Sequence, residues 1–211
     1  MTDYLVNNYS IDKLQISKPK KHDEYLVSKV KYLGAELLIQ FPKMKINSIT
    51  GKNIQLEFIS PETKYSKEVY NFLSTLDLYV MNHIFEKSND WFGKSIPLEN
   101  VTNMYNKFIK APLTTDNNST LNFTINKNIL FVDRKNNELE LSSLGNESIE
   151  CISQLKYIMF SKDSSFTVWE MHSAKVHRKV EKVKSFGFIK DPVETDDSDN
   201  EIEIKEIINF F

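Results

Sequence analysis

The side chains best equipped for chemistry lie in the segment FTVWEMHSAKVHRKVEKVKSFGFIK, residues 166–190. Strand alternation places Thr167, Trp169, Met171, Ser173, Lys175, His177 and Lys179 on one face. Phe166, Val168, Ala174, Val176 and Val180 mark the other as core. The first face joins a large aromatic to a row of bases, and from Lys175 to Lys190 six bases stand against one acid, Glu181. Cations in such a row can follow phosphates while an aromatic ring stacks on bases of any sequence. Arg178 and Lys182 extend the run, and Lys43 and Lys45 of LLIQFPKMKI add two further cations. A competing reading puts Trp169 in the core and leaves the lysines on a solvated strand end. Trp91 and Phe92, between Lys87 and Lys94 in a polar loop, form a second candidate stacking platform, or else a lid folded back on the core.

Catalytic constellations are scarce. None of the five glycines forms a phosphate-cradling loop or a dinucleotide fingerprint. The histidines His22, His83, His172 and His177 lack metal-ligand spacing. His172 and His177 are five apart on an expected strand, which sends them to opposite faces, and His83 sits beside Val80 and Ile84 as a core-edge histidine. No nucleophile elbow is present. The single cysteine, Cys151, allows no internal disulfide and reads as a buried inert thiol within IECISQLKYIMF. The expectation is a protein that is not an enzyme and takes no cofactor and no metal.

Charge divides the chain unevenly. Residues 191–211 hold eight carboxylates against Lys205, a net of −7, whereas residues 1–190 carry 21 carboxylates and 26 bases, a net of +5. A basic body joined to an acidic tail points to nucleic acid or another charged partner. The tail ends on Phe210 and Phe211, an aromatic tip with the look of a docking peptide. Alternatively it is a solubilising terminus whose last residues pack, since Ile204, Ile207, Ile208 and Phe211 share one helical face. No apolar stretch approaches a membrane span, and the start lacks the pattern of a signal peptide, so the expected setting is intracellular.

The elements that must position these groups are mostly strands. The first 30 residues read as a loop or an extended arm. Glu36 to Ile46 is a β-type run broken by Pro42, which suggests an edge or a bulge. Ile54, Leu56 and Phe58 alternate as a half-buried strand, and Val69, Phe72, Leu73, Leu76, Val80 and Ile84 predict one long amphipathic helix between Ser66 and Glu86. Leu121 to Val132 and Leu139 to Leu141 flank a turn at Asp133–Asn137 as a hairpin. Ile149–Phe160 is a buried strand or short helix, Phe166–Lys179 a long strand, and Phe186–Ile189 closes the body. The fold class is therefore β-rich α+β: a barrel or sandwich with one long helix, as a domain over 1–190, followed by a disordered acidic tail over 191–211.

The strand LLIQFPKMKI, the pair LNFTI and ILFVD, and FTVWEMHSAKV followed by FGFIKD and acids resemble the single-stranded-DNA-binding proteins of nucleocytoplasmic large DNA viruses. The tail is also similar to those of bacterial and phage single-strand binding proteins, although it ends NFF without their proline. The resemblance implies an OB-like β-barrel that coats single-stranded DNA in viral replication, repair or recombination, with RNA and a homo-oligomer left open. It implies a tail that docks on replication proteins and competes for the basic groove. It also implies a place in the host cytoplasm, in a viral factory, in the nucleus or in the virion. The rival reading is a viral structural protein, a minor capsid or core component, whose tail latches a neighbouring subunit.

Overall fold

Residues 4–59, 62–112 and 118–178 are described in the computed structural model. The fold grows from one hairpin. β4 (Leu37–Thr50) runs through the LLIQFPKMKI segment and turns at Gly51, whose φ of 58° suits a tight reversal, into β5 (Asn53–Phe58). The alternation of Ile54, Leu56 and Phe58 buries all three on one side. Pro42 marks a bulge between Phe41 and Met44 inside a strand paired on both flanks, not an edge.

Five strands close on themselves. β4 pairs antiparallel with β5, β5 with β7 (Thr120–Val132), and β7 runs parallel to β10 (Ser165–His177). β10 in turn pairs antiparallel with β9 (Ser148–Phe160), which returns to β4. The inward residues form one continuous core, in which Phe41, Phe123, Phe108 and Trp169 meet edge-on or stacked at ring-centroid separations of 4.9–5.5 Å. Ile149–Phe160 is thus a strand, and the Asp133–Asn137 turn leads to β8 (Glu138–Leu139), which pairs back onto β7.

The long helix α1 (Lys64–Phe92) starts where the Thr63 hydroxyl accepts from the Ser66 N–H and stops at left-handed Gly93. Its Val69, Leu73, Leu76, Val80 and Ile84 join the core. It outruns the expected end at Glu86, where Trp91 and Phe92 pack on Phe160; within this extension the Ser88 hydroxyl donates to the Phe85 carbonyl and accepts from the Ile96 N–H. The polar KSND stretch is therefore helical rather than loop. A short α2 (Leu98–Met104) follows and leads into β6 (Tyr105–Asn106), which lies parallel to the start of β10.

Residues 4–30 are not an arm. Val6, Leu14 and Val30 are buried in the core, and β1 (Leu14–Ile16), β2 (Lys20–His22) and β3 (Tyr25–Tyr32) build a flap that pairs with the far end of β9. Only the KKH strand is exposed along its length, as its polarity suggested. Among the described residues no helix is long and apolar enough to cross a membrane. The expected strand at Phe186–Ile189, the boundary at residue 190 and the tail 191–211 lie outside the described residues.

Candidate nucleic-acid interface

The strand chosen from sequence does not present its tryptophan. Trp169 is 1% exposed, wedged between Phe41 and Phe108, and Thr167 and Met171 are buried beside it. The physical cause is a bulge between Met171 and Ser173, where β10 slips register against both β9 and β7. One extra residue reverses the in–out phase, so Trp169 and Met171 point inward before it and Ala174 and Val176 after it. The alternation fitted to Ala174 and Val176 was therefore out of phase upstream. The same bulge removes the expected opposition of His172 and His177. His172 Nε2 bonds Gln154 Oε1 at 3.0 Å, and His177 Nε2 stands 3.2 Å from Glu150 Oε1.

The second platform is a lid. Trp91 and Phe92 occupy the last turn of α1, half-buried, and both pack on Phe160 at 6.2 and 5.6 Å; Lys94 beyond them is exposed. His83 packs between Tyr79 and Trp91, and burial holds its imidazole below the usual range. Cys151 is buried, and desolvation pushes its thiol up to about 12, which leaves it inert. Among the described residues no group of three His, Cys, Asp or Glu side chains is placed to hold a metal.

The downstream bases do converge, at a corner where β4, β9 and β10 lie side by side. Cross-strand register sets Lys175 opposite Glu150, with Lys45 and His177 flanking Ser148. Lys43, Arg134 and Lys175 all depress the His177 imidazole, after burial, while Glu150 opposes them. Much of this charge is already engaged. Arg134 Nε donates to His177 Nδ1 at 3.3 Å, and Arg178 donates to the Ser143 hydroxyl at 2.9 Å and lies 3.7 Å from Glu147. Lys179, Lys182, Phe210 and Phe211 lie outside the described residues.

A second basic site escaped the sequence reading. β7 and β10 pair only from Thr124 and Glu170 onward; before that they diverge, and the segment following α2 fills the gap. β6 pairs with Ser165 and Phe166 of β10, and Lys110 bridges to Thr120 of β7. The opening is a cleft of about 290 Å³ lined by Asn53, Asn106, Lys107, Lys110, Asn122, Thr124, Phe166 and Val168, over a floor of Phe108, Phe123 and Trp169. Lys107 and Lys110 form no ion pair with any described residue. The segment is pinned from beneath by Asp77 of α1, only 2% exposed. The Tyr105 hydroxyl donates to its Oδ1 at 2.7 Å and the Phe108 N–H to its Oδ2 at 3.0 Å. Desolvation raises the Asp77 carboxyl, while these two donors and the two lysines pull it back. The sequence signal is the quintet NKFIK, residues 106–110, which sets Phe108 and Ile109 between two bases.

No protein-family model and no curated sequence matches the chain. Among solved structures it is similar to the gp2.5 single-stranded DNA-binding protein encoded by bacteriophage T7, with TM-score 0.48 and 9% identity over 74% of this chain and 100% of that one. It is also similar to the single-stranded DNA-binding protein of bacteriophage Enc34. In its complex with single-stranded DNA the TM-score is 0.43, with 11% identity over 79% of this chain and 97% of that one. In its C-terminal truncation the TM-score is 0.45, with 13% identity over 82% and 99%. Each score lies below 0.5, too low for the likeness to assign this chain a ligand.

Proposed function

We propose that the five-stranded ring is an OB-type barrel and that the chain binds single-stranded DNA through the cleft between β7 and β10. The observation that carries the reading is the cleft itself: two lysines that form no ion pair with any described residue and an aromatic, Phe166, around a single-heterocycle-sized opening. Unpaired bases need a π-face to stack on and cations to follow their phosphates. OB barrels present the outer side of their second and third strands to oligonucleotides. In the ring those are β5 and β7, which supply Asn53, Asn122 and Thr124 to the cleft. The exposed lysines of the corner, Lys43, Lys45 and Lys175, are a secondary phosphate track.

The role in viral DNA replication, repair or recombination rests on the resemblance of the LLIQFPKMKI, LNFTI, ILFVD and FTVWEMHSAKV segments. The acidic segment 191–211, of net −7, is a phosphate mimic that competes for the same lysines, and Phe210 and Phe211 dock a replication protein. Truncation after Lys190 then raises strand affinity several-fold at low salt, with the gain shrinking as screening sets in.

The test is a fluorescence titration with oligo-dT and a matched duplex over a range of salt. A strand binder prefers oligo-dT and loses affinity steeply as salt rises, through counterion release. A capsid or core component that uses its tail as a latch binds neither oligonucleotide, and that result would overturn the reading.

A further inference from the structure

The outward face of the N-terminal flap carries the same residue types as the cleft. Every second residue of β3, Tyr25, Val27, Lys29 and Lys31, points out, while Ser28 and Val30 between them are buried. Tyr157 and Met159 of β9 flank buried Ile158 in the same way. Together these six line a groove of about 440 Å³. Lys29 and Lys31 form no ion pair with any described residue, and neither does Lys20, which β2 sets opposite Val27. Lys156 at the rim is engaged, 3.0 Å from Glu170, and His22 lies 3.4 Å from Asp23. Glu36 is the one carboxylate of the lining.

Sheet register joins this groove to the cleft. Phe166 and Val168, which wall the cleft, stand opposite Met159 and Tyr157 of β9. Met159 and Tyr157 in turn stand opposite Val27 and Lys29 of β3. Directly opposed residues share a face with Cβ atoms about 5 Å apart. Two rows therefore make one band: Phe166, Met159, Val27 and Lys20 in the first, and Val168, Tyr157 and Lys29 in the second. With strands about 4.8 Å apart, the band runs roughly 14 Å from β10 to β2. That is about four nucleotides at a stacked rise of ~3.4 Å. An acidic protein surface would also suit the lysines. The apolar rows that run on from the cleft favour a strand of unpaired bases, which needs rings and cations along one path.

We infer that single-stranded DNA leaving the cleft crosses β10 and β9 onto the flap, where Tyr157 and Tyr25 stack on bases and Lys20, Lys29 and Lys31 hold phosphates. This rests on the proposed strand binding and adds to it a second, N-terminal half of the track. The site is then longer than the barrel cleft alone provides.

The experiment measures anisotropy with end-labelled oligo-dT of about four and about twelve nucleotides, within the range of site sizes of OB barrels. The full chain should bind the longer oligomer more tightly. Lys20→Ala, Lys29→Ala and Lys31→Ala combined, all at exposed positions, should keep the parental unfolding midpoint. They should flatten the longer oligomer's slope of log affinity against log salt by about 2, at roughly 0.7 for each lost contact, and leave the shorter one's slope unchanged. Tyr157→Leu keeps an apolar side chain on the sheet and removes the ring. It should weaken the longer oligomer about tenfold and the shorter one not at all. Lys107→Ala with Lys110→Ala should weaken both lengths. Parental binding by the flap variants at both lengths, or an equal loss at both, would overturn the extended track while leaving cleft binding intact. Failure of both oligomers to bind the parent at low salt would instead remove the strand-binding proposal on which it stands.

Discussion

The corner gathers more bases than the cleft, where Lys107 and Lys110 stand alone, and part of its charge is already engaged. At the corner, Arg134, Arg178 and His177 are held by hydrogen bonds or by Glu147 and Glu150. At the cleft, Lys107 and Lys110 form no ion pair with any described residue, and Asp77 is buried beneath them and occupied by Tyr105 and Phe108. Counting bases along a sequence finds the first region; the second emerges only when the fold sets residues 106–110 beside β7 and β10. An exposed ion pair contributes little to stability, but its charges are less available to a third partner.

The sharpest way to break this comparison is at Trp169, which one reading makes a ligand contact and the structure makes core. Trp169→Ala should cost about 3–5 kcal/mol of stability in denaturant unfolding, as large aromatic truncations in cores do. A fold of parental stability with weakened oligo-dT binding would restore Trp169 to a surface.

The next effect belongs to Asp77. Asp77→Ala orphans the Phe108 N–H and the Tyr105 hydroxyl, at about 1–3 kcal/mol for each buried group left unsatisfied. It also releases the segment that carries Lys107 and Lys110, so oligo-dT affinity should fall with stability. The pH dependence has a definite sign. Burial raises the folded-state value above the ordinary 3.8, so the stabilisation is fully present below that ordinary value and is lost as pH rises through the raised one. Unfolding of the parent and of Asp77→Asn across acid pH should show this loss in the parent alone; parallel curves would remove Asp77 as its source.

These two residues also mark what the sequence could and could not disclose. Short-range periodicity located Ile54, Leu56 and Phe58 on their strand and the apolar face of α1, because each pattern repeats within a single unbroken element. It failed wherever one residue was inserted. The bulge at Met171/Ser173 inverted the phase of Trp169, and no composition signal marks it. The helix end at Trp91 and Phe92 was hidden because Ser88, Asn89 and Asp90 are turn formers by habit, overridden here by packing on Phe160. The N-terminal flap was missed because its apolar residues, Val6, Leu14 and Val30 among them, are spread through a polar, lysine-rich stretch with no sustained period, and long-range pairing of β3 with β9 ties it to the body. The cleft needs four strands and a helix-borne aspartate to exist at all, so its residues are scattered from Asn53 to Trp169.

Smaller effects sharpen the contrast between the two basic regions. Lys107→Ala with Lys110→Ala should flatten the slope of log affinity against log salt by roughly 0.7 for each lost contact on a single strand. Lys43→Ala with Lys175→Ala, at the corner, should change that slope by less than half as much. A larger change at the corner would reverse the ranking and make the cleft secondary.

The central claim, that strand enters between β7 and β10, is tested most directly by a ¹⁵N-resolved amide titration of the full chain with oligo-dT. The predicted result is shifts concentrated at Asn53, Asn106–Lys110, Asn122–Thr124 and Phe166–Val168, including the side-chain NH2 signals of the three cleft asparagines. Shifts gathered instead at Lys43–Lys45, Ser148–Glu150 and Lys175–His177, with the cleft silent, would contradict it.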